Sequence, residues 1–488
     1  MSRTTVADVI VDGLRRAGTP RLFGVEGTSA DSPLLEAARA IALPITLATS
    51  SAGACVMAAV TGELVEAPGA VVIGEREPLS VPASAISRAM ADRAPMIVLT
   101  SGHPSTVTGC KETLGVEAGT AAHRIAHVVR LSMTTPRGPV HLDLAADVAE
   151  RAAVPLATSC RPDAMPYPDA DALDRAADAL AGASRPLLLA GLHCRSDDAA
   201  QWLRAFAEAM PAPLLATARA KGALPDPHPL MLGVLGVPGA AERLLDRADL
   251  VVAIGLDVLE PVPAACWSTR PVLAFGPAPA SDDRTPAVEV VGDVGVVIDE
   301  LAVRLRDKAR ADWDVAELDR LRREAIARST GDGLPARIVR LAREATPAGT
   351  IATVDASAHH ACVAAAWHAI APREFLTSSA LGASGFALPA AIAAHLVHPG
   401  RRVVCFTDPA GLTTTASELE LAARLAAPIV IVVFDGAAPN VAGLVRMAES
   451  VGVSVSAVES EPAFARALSR ALGIAGPSLI VARPVADT

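Results

Sequence analysis

VVCFTDPAGLTTTASELELAARLAAPIVIVVFDG, residues 403–436, is the stretch that decides the fold. Its two short apolar runs, residues 403–406 and 429–434, are rich in β-branched side chains, which is typical of buried parallel strands. Residues 413–426 between them are rich in Ala, Leu and Glu at helical spacing and predict a helix. Ligands bind at the carboxyl ends of the strands in an open α/β sheet. The loops that follow the two strands are therefore expected to face one site.

The composition narrows the class of protein. The chain has 488 residues and a net charge of −10, and its residues are 51% hydrophobic but only 3% aromatic. This length suits about three domains, and the acidic balance argues against a nucleic-acid partner, which needs a basic face. No long apolar run follows the first residues, MSRTTVADVI, and the later apolar runs are too short to span a bilayer, so we expect a cytoplasmic protein without a membrane partner. The seven cysteines form no CxxC pair and predict neither a disulfide framework nor a zinc site.

The alternation of apolar runs and helical segments predicts an α/β fold with three doubly wound domains. The expected limits are residues 1–157, 171–310 and 335–488. Residues 157–170 are rich in Pro and Asp and predict a linker, and the Gly/Pro-containing residues 331–335 predict a second break. Because no short repeat is detectable, a single enzyme-sized architecture is favoured over a solenoid.

Stretches from all three domains resemble one family. TVADVIVDGLRRAGTPRLFGVEGTS (residues 5–29), RADLVVAIG (247–255) and FLTSSALGASGFALPAAIAAHLVHPGRRVVCFTD (375–408) occur in the family's order. The whole chain resembles the thiamine-diphosphate (ThDP) enzymes that include acetolactate synthase and benzoylformate decarboxylase. The resemblance implies a pyrimidine-binding-like first domain, a mainly structural central domain that holds FAD in some members, and a diphosphate-binding-like third domain.

The resemblance also implies an activity and an assembly. It implies a carbon–carbon lyase or carboligase that acts on a small 2-oxo acid or related carbonyl compound with ThDP and Mg²⁺. In that family the cofactor lies between the first domain of one subunit and the third domain of another. A homodimer is therefore the smallest expected assembly, and a homotetramer is common.

The metal-binding positions of this chain depart from the family pattern. The family holds Mg²⁺ with a GDG motif and an Asn pair, and hard oxygen ligands of this kind suit the ion. An ungapped comparison places Pro409 at the metal-binding Asp, with Asp408 one position earlier, and Asp435 at the Asn pair. Asp408 and Asp435 are therefore the predicted metal ligands and cofactor-binding residues. The alternative is that both are ordinary acids at the surface.

Three further residues are predicted to bind the cofactor. His359 matches a family histidine near the diphosphate, although a histidine that only starts a helix is an equal alternative. Gly382 and Ser384 lie in the segment that shapes the cofactor, where the acetolactate synthase branch has a bulky Met at the position of Ser384. The sequence therefore indicates a degenerate cofactor site.

The acid–base positions have changed as well. The family's catalytic Glu, which activates the aminopyrimidine ring, is matched by Ser51, whose hydroxyl has no useful pKa for proton exchange. The family's Gly-Pro-Gly loop is replaced by residues 76–78, Arg-Glu-Pro. Polar residues expected around the cleft are the candidate catalytic residues Glu26, Ser51, Arg76, Glu77 and His103. The alternative for each is an exposed loop side chain.

Three functions fit this pattern, and an enzyme is favoured. The first is a ThDP-dependent lyase or carboligase with an unusual site. The second is an enzyme that works without ThDP in the same cleft between subunits, with Arg76 binding a substrate carboxylate and Glu26 or His103 acting as a base. The third is a non-catalytic subunit that pairs with an active homologue.

Overall fold

Three parallel α/β units make up the chain. The computed structural model describes residues 4–29, 31–101, 107–237, 241–268, 270–280, 284–305, 311–330, 333–380, 384–436 and 441–483. Each unit is built on a six-stranded sheet, and every strand pair that the structure records between named strands is parallel. The predicted fold class is therefore confirmed.

The N-terminal unit is covered on both faces of its sheet. Its strands are β1 (Leu22–Val25), β2 (Ile45–Ala48), β3 (Gly69–Ile73), β4 (Met96–Ser101), β5 (Thr113–Gly115) and β6 (Pro139–Leu144), in the order β2-β1-β3-β4-β6-β5. Its helices are α1 (Val6–Arg16), α2 (Pro33–Ala40), α3 (Ser51–Val65), α4 (Ala83–Ala91), α5 (Ala121–Met133) and α6 (Ala146–Ala149). Val71 and Ile73 belong to one core cluster, whereas Ala70 and Val72 belong to another. Both sheet faces are thus buried, as expected for a doubly wound domain.

The central unit repeats this plan. Its strands are β7 (Pro186–Ala190), β8 (Leu214–Ala216), β9 (Met231–Val234), β10 (Leu250–Ile254), β11 (Val272–Gly276) and β12 (Val288–Val291), in the order β12-β11-β10-β7-β8-β9. Its helices are α7 (Ala170–Gly182), α8 (Asp197–Ala209), α9 (Ala241–Leu245), α10 (Ala265–Ser268), α11 (Val294–Arg304) and α12 (Val315–Thr330).

The C-terminal unit contains the stretch that decided the fold. Its strands are β13 (Ile351–Val354), β14 (Phe375–Leu376), β15 (Val403–Thr407), β16 (Ile429–Phe434), β17 (Ser454–Val458) and β18 (Ser478–Ala482), in the order β14-β13-β15-β16-β18-β17. Its helices are α13 (Leu334–Glu344), α14 (His360–Ala366), α15 (Ala387–Val397), α16 (Pro409–Thr415), α17 (Glu418–Arg424), α18 (Val441–Ser450) and α19 (Glu461–Gly473).

The helix expected at residues 413–426 is in fact two helices, α16 and α17. The first begins at Pro409 because the Asp408 carboxylate accepts a hydrogen bond from the Gly411 N–H at 2.7 Å. An Asp before the first turn and a Pro within it are common at a helix start. The loop after β15 is therefore shorter than the sequence predicts.

The N- and C-terminal units share one hydrophobic core. Ala54 and Met57 of α3 and Ala390 and Ala394 of α15 are fully buried members of the same cluster. Helix α3 is apolar on all sides, which is typical of a helix buried in a core. None of the helices in the described ranges is long and apolar enough to cross a membrane.

Arg219 of the central unit connects all three units. Its guanidinium donates to the Glu63 carboxylate at 2.7 Å and to the Asp92 carbonyl at 2.9 Å, both in the N-terminal unit. It also donates to the Thr377 carbonyl of the C-terminal unit. The side chain is 3% exposed, so these contacts lie in the interior of the molecule.

Candidate active site

Helix α3 begins at the interface between the N- and C-terminal units. The Ser50 hydroxyl accepts from the Gly53 N–H at 3.0 Å and caps the helix. Glu418 of α17 is fully buried there, and its carboxylate accepts from the Ser50 N–H at 3.1 Å, the Ser50 hydroxyl at 2.8 Å and the Thr49 N–H at 3.4 Å. Burial raises the pKa of Glu418, and these hydrogen bonds oppose the rise. A Cβ atom at Gly53 would overlap the Glu418 carboxylate, so this position needs glycine.

A second carboxylate lies beside the same helix start. The buried Ser51 hydroxyl donates to Glu77 Oε1 at 2.5 Å, and Glu77 is half-buried in the loop after β3. Negative charge at the N-terminus of a helix is favoured by the helix dipole. The structure therefore brings together two of the candidate catalytic residues, Ser51 and Glu77.

The other described N-terminal candidates, Glu26 and Arg76, form no hydrogen bond with Ser51 or Glu77. Arg76 is exposed in the loop after β3. Glu26 is exposed and forms an ion pair with Arg424 of α17 at 2.5 Å, and Arg424 also donates to the Leu47 carbonyl. His103 lies outside the described residues.

Asp408 and His359 lie near one another at the carboxyl edge of the C-terminal sheet. Asp408 is half-buried, and its carboxylate caps α16. Burial lowers the pKa of His359, and the charge of Asp408 opposes this. The His359 ring also lies 4.7 Å from the Phe434 ring, centroid to centroid. Among the described residues, no hydrogen bond or ion pair joins this pair to Ser51 or Glu77.

Asp435, the other predicted metal ligand, has a cationic partner. It is 4% exposed, and its Oδ2 lies 2.9 Å from Arg483 Nε. Its N–H donates to the Ala482 carbonyl of the neighbouring strand β18. The negative charge that the sequence places beside a diphosphate is therefore balanced within the domain.

Sequence reasoning missed Asp355 and Arg88. Asp355 follows β13 directly, and its buried carboxylate accepts from the Phe386 N–H at 2.7 Å and the Thr407 hydroxyl at 2.6 Å. Arg88 of α4 donates to the Ser384 carbonyl at 3.1 Å. An acid at the end of a buried strand was the signal for Asp355, whereas only tertiary structure shows the Arg88 contact. Gly382 lies outside the described residues.

The start of α3 and the carboxyl edge of the C-terminal sheet differ in how well their residues suit ThDP and Mg²⁺. The family's aminopyrimidine ring requires a carboxylate that exchanges protons, and the Glu77 carboxylate lies at the start of α3, hydrogen-bonded to Ser51. Magnesium requires several oxygen ligands in octahedral geometry. Within the described ranges no group of three or more His, Cys, Asp or Glu side chains could hold a metal ion. A carboxylate therefore lies at the start of α3, whereas both predicted metal ligands, Asp408 and Asp435, already have partners within the chain.

The architecture defines the class of protein. The benzoylformate decarboxylase from Polynucleobacter necessarius has the same fold, with a TM-score of 0.80 at 19% sequence identity, over 99% of each chain. Three sequence-family models match in order. They are the N-terminal TPP binding domain (residues 4–124), the central domain (173–301) and the C-terminal TPP binding domain (355–441) of thiamine pyrophosphate enzymes.

The chain therefore belongs to the thiamine pyrophosphate enzyme family, thiamine pyrophosphate being another name for ThDP, and the resemblance stated above is confirmed. Its sequence is 27% identical to the catabolic acetolactate synthase of Raoultella terrigena, over 98% of this chain and 94% of that protein. It is 25% identical to the acetolactate synthase of Bacillus subtilis, over 97% of this chain and 92% of that protein.

Proposed function

We propose that this protein is a carbon–carbon lyase or carboligase that uses ThDP on a small 2-oxo acid, with Glu77 as its acid–base carboxylate. The observation that carries the proposal is the 2.5 Å hydrogen bond from Ser51 to Glu77 at the start of α3. The resemblance puts the family's catalytic Glu at position 51. Glu77, from the loop after β3, brings a carboxylate to that position by accepting a hydrogen bond from the Ser51 hydroxyl.

The relatives support this class of reaction. The two curated relatives described above are acetolactate synthases, another relative is a probable 2-ketoarginine decarboxylase, and a solved structure with the same fold is a benzoylformate decarboxylase. The chemistry that ThDP supplies when bound is an acceptor for the electron pair released as the bond to the substrate carboxylate breaks.

The residues of the chain have separate roles in this proposal. Glu77 takes up and returns a proton at its Oε atoms, and the Ser51 hydroxyl orients that carboxylate by donating to it. The His359 ring donates to the diphosphate end of the cofactor, and Asp408 holds the start of α16 beside it. No role is assigned to a metal ion, because Asp408 caps α16 and Asp435 pairs with Arg483.

We also propose that two copies of the chain build each site. Ser51 and Glu77 belong to the N-terminal unit, whereas His359 and Asp408 belong to the C-terminal unit, and within the described chain no hydrogen bond links the two pairs. A second copy would bring one pair opposite the other. Light scattering after gel filtration should give a dimer or tetramer, and a monomer at micromolar concentration would contradict this.

Titration with ThDP, with and without Mg²⁺, tests cofactor use. A ligand at about 100 times its Kd stabilises a protein by ~2.7 kcal/mol, so the melting temperature should rise clearly. Carbon dioxide release from pyruvate and benzoylformate is then measured for wild type and for Glu77→Gln. We expect the variant to lose about 10²-fold to 10⁴-fold in turnover.

The matched control is Glu75→Gln, an exposed acid two positions earlier in the same loop, which should retain wild-type turnover. No thermal shift at millimolar ThDP would reject the proposal. An active Glu77→Gln variant would reject the role of Glu77 alone.

An enzyme that works without ThDP in the same cleft is the second candidate. The two predicted metal ligands favour this candidate, because Asp435 is paired with Arg483 and Asp408 caps a helix. The same titration separates the two candidates, since only this one is compatible with unchanged melting at millimolar ThDP.

A further inference from the structure

A separate cavity lies where all three units meet, about three turns along α3 from Ser51. Its volume is about 160 Å³, and it is lined by arginines from each unit. These are Arg93 and Arg137 of the N-terminal unit, Arg195 of the central unit and Arg373 of the C-terminal unit. Guanidinium groups are suited to phosphate and carboxylate, to which they donate in pairs.

One of these arginines has an unused donor. Arg195 is 8% exposed, and its Nη1 donates to Glu63 at 3.2 Å. Glu63 also accepts from Arg219, so one carboxylate serves two guanidinium groups. The buried Arg195 Nε has no hydrogen-bond acceptor among the described residues. Burial, together with the nearby charge of Arg219, lowers the pKa of Arg195 to about 10.

A second carboxylate is shared in the same way. Glu66 forms an ion pair with Arg373, and Arg137 Nη2 lies 3.9 Å from its other oxygen. Burial lowers the pKa of Arg137, the charge of Glu66 opposes this, and the charge of Arg373 adds to it. Among the described residues, these two arginines thus share a single close carboxylate.

The other acids that line the cavity or lie near its arginines also have partners. Asp257 accepts from Arg93 and from His193 at 2.8 and 3.0 Å. Asp293 caps α11 through the Gly295 and Val296 N–H groups. Asp92, 3.9 Å from Arg219 Nε, also accepts from the Ser379 N–H. None of these contacts uses the free Nε of Arg195.

The adjacent crevice of the central sheet is already filled by a side chain. β7 and β10 are neighbours in that sheet while the chain after each runs to opposite sides, and such a switch point usually takes a nucleotide. There the Glu260 carboxylate accepts from the Leu192 and Asp257 N–H groups, both at 2.9 Å, and from the Thr217 hydroxyl at 2.5 Å. The N–H groups that would bind a diphosphate are therefore engaged, and the cavity beside them has room for a compact anion.

We propose that this arginine cavity binds a phosphate dianion, either free or as a small phosphate monoester. Arg137, Arg195 and Arg373 would donate to its oxygens, and the anion would connect the three units. The proposal is independent of the lyase reaction, because its test measures binding and not turnover.

The test is calorimetric titration of the full chain with inorganic phosphate at constant ionic strength, with chloride as the compensating salt. We expect saturable binding of one phosphate per chain. In Arg137→Gln the Kd should rise by about tenfold or more, as expected for one charged hydrogen bond. Because Arg137 is 37% exposed, the variant should fold.

Arg130→Gln is the matched control. Arg130 belongs to the same unit, is 44% exposed and lies 3.9 Å from Asp163, but it does not line the cavity. Its phosphate affinity should equal that of wild type. Absence of saturable binding in wild type, or equal affinity in Arg137→Gln, would overturn the proposal.

Two further anions define the ligand. Competition by glycerol 2-phosphate at similar affinity would support a monoester, and its failure to compete would support free phosphate. Malonate, if it binds more tightly than either, would overturn the assignment of a phosphoryl group.

Discussion

The two ends of the candidate active site use their acids differently. At the start of α3, Glu77 and Glu418 reach hydroxyl and N–H groups from other elements of the chain. At the ends of β15 and β16, Asp408 and Asp435 are held within their own unit, by a helix start and by Arg483. An acid of the first kind joins parts of the molecule, whereas an acid of the second kind stabilises a local element. Whether a carboxylate can do chemistry thus depends on its partner and not on its place at a strand end alone.

The largest effect should come from removing the joining acid, Glu418. Glu418→Ala leaves the Thr49 and Ser50 N–H groups without an acceptor at a buried interface, and each such loss costs about 1–3 kcal/mol. We expect the free energy of unfolding to fall by about 3 kcal/mol or more in urea titrations.

Asp408→Ala is the comparison for that variant. It removes a helix cap and should cost only about 1 kcal/mol. Equal losses in the free energy of unfolding of the two variants would show that acids joining two units and acids within one unit do not differ in their contribution to stability.

Gly53→Ala should have the next largest effect. Its methyl group overlaps the Glu418 carboxylate, and overpacking a buried site costs about 1–3 kcal/mol. The control is Gly473→Ala at the end of α19, where a Cβ atom meets no neighbour within 4 Å. If both variants melt at the wild-type temperature, the close approach of α3 and Glu418 is not maintained in solution.

Restoring the family's residues at positions 409 and 435 tests whether these two positions decide Mg²⁺ binding. Pro409→Asp combined with Asp435→Asn supplies the carboxylate and the amide that Mg²⁺ prefers. We expect ThDP to bind the double variant about tenfold more tightly with Mg²⁺ than with EDTA, a difference of about 1.4 kcal/mol. Wild type should show no such difference, and a strong Mg²⁺ dependence in wild type would mean that its metal ligands are intact.

The smallest effect concerns pH. Burial raises the pKa of Glu418 above the ordinary value of 4.5, so the folded protein holds this proton more tightly than the unfolded chain. The contribution of Glu418 to stability therefore falls as the pH rises from 4.5 through the raised pKa. Glu418→Gln does not titrate, so its disadvantage against wild type should shrink as the pH rises above 4.5. A constant or growing disadvantage in urea titrations would contradict this sign.

Local pattern was enough to predict the central strands of the sheets, but not the edge strands β5, β9, β14 and β17. The apolar run of β16 has six buried residues, and successive residues of β3 face opposite cores. A short, continuous apolar run is therefore enough to indicate a strand that is buried on both faces. The start of α16 was missed because Pro409 and Gly411 are poor helix formers in the absence of a recognised helix start, which the Asp408 cap provides.

The candidate site was less accessible to sequence reasoning. Ser51 and Glu77 were both named, but their hydrogen bond depends on how the loop after β3 folds back over α3. Glu418 was not named at all, and its partners lie 368 and 369 residues away in sequence. The spacing of residues within a motif carries no information on contacts of this kind.

Arg219 has a consequence for the dissection of this protein. Because one buried side chain contacts both neighbouring units, the central unit expressed alone would expose that charge, and the N-terminal unit expressed alone would leave Glu63 without its closest cation. The three units should consequently melt in one transition in a calorimeter. A cut in the Pro-rich stretch at residues 157–170 should give fragments that stay together until denaturant is added. Domain swaps with relatives would then need to exchange Glu63, Arg219 and the strand end at Thr377 as a set.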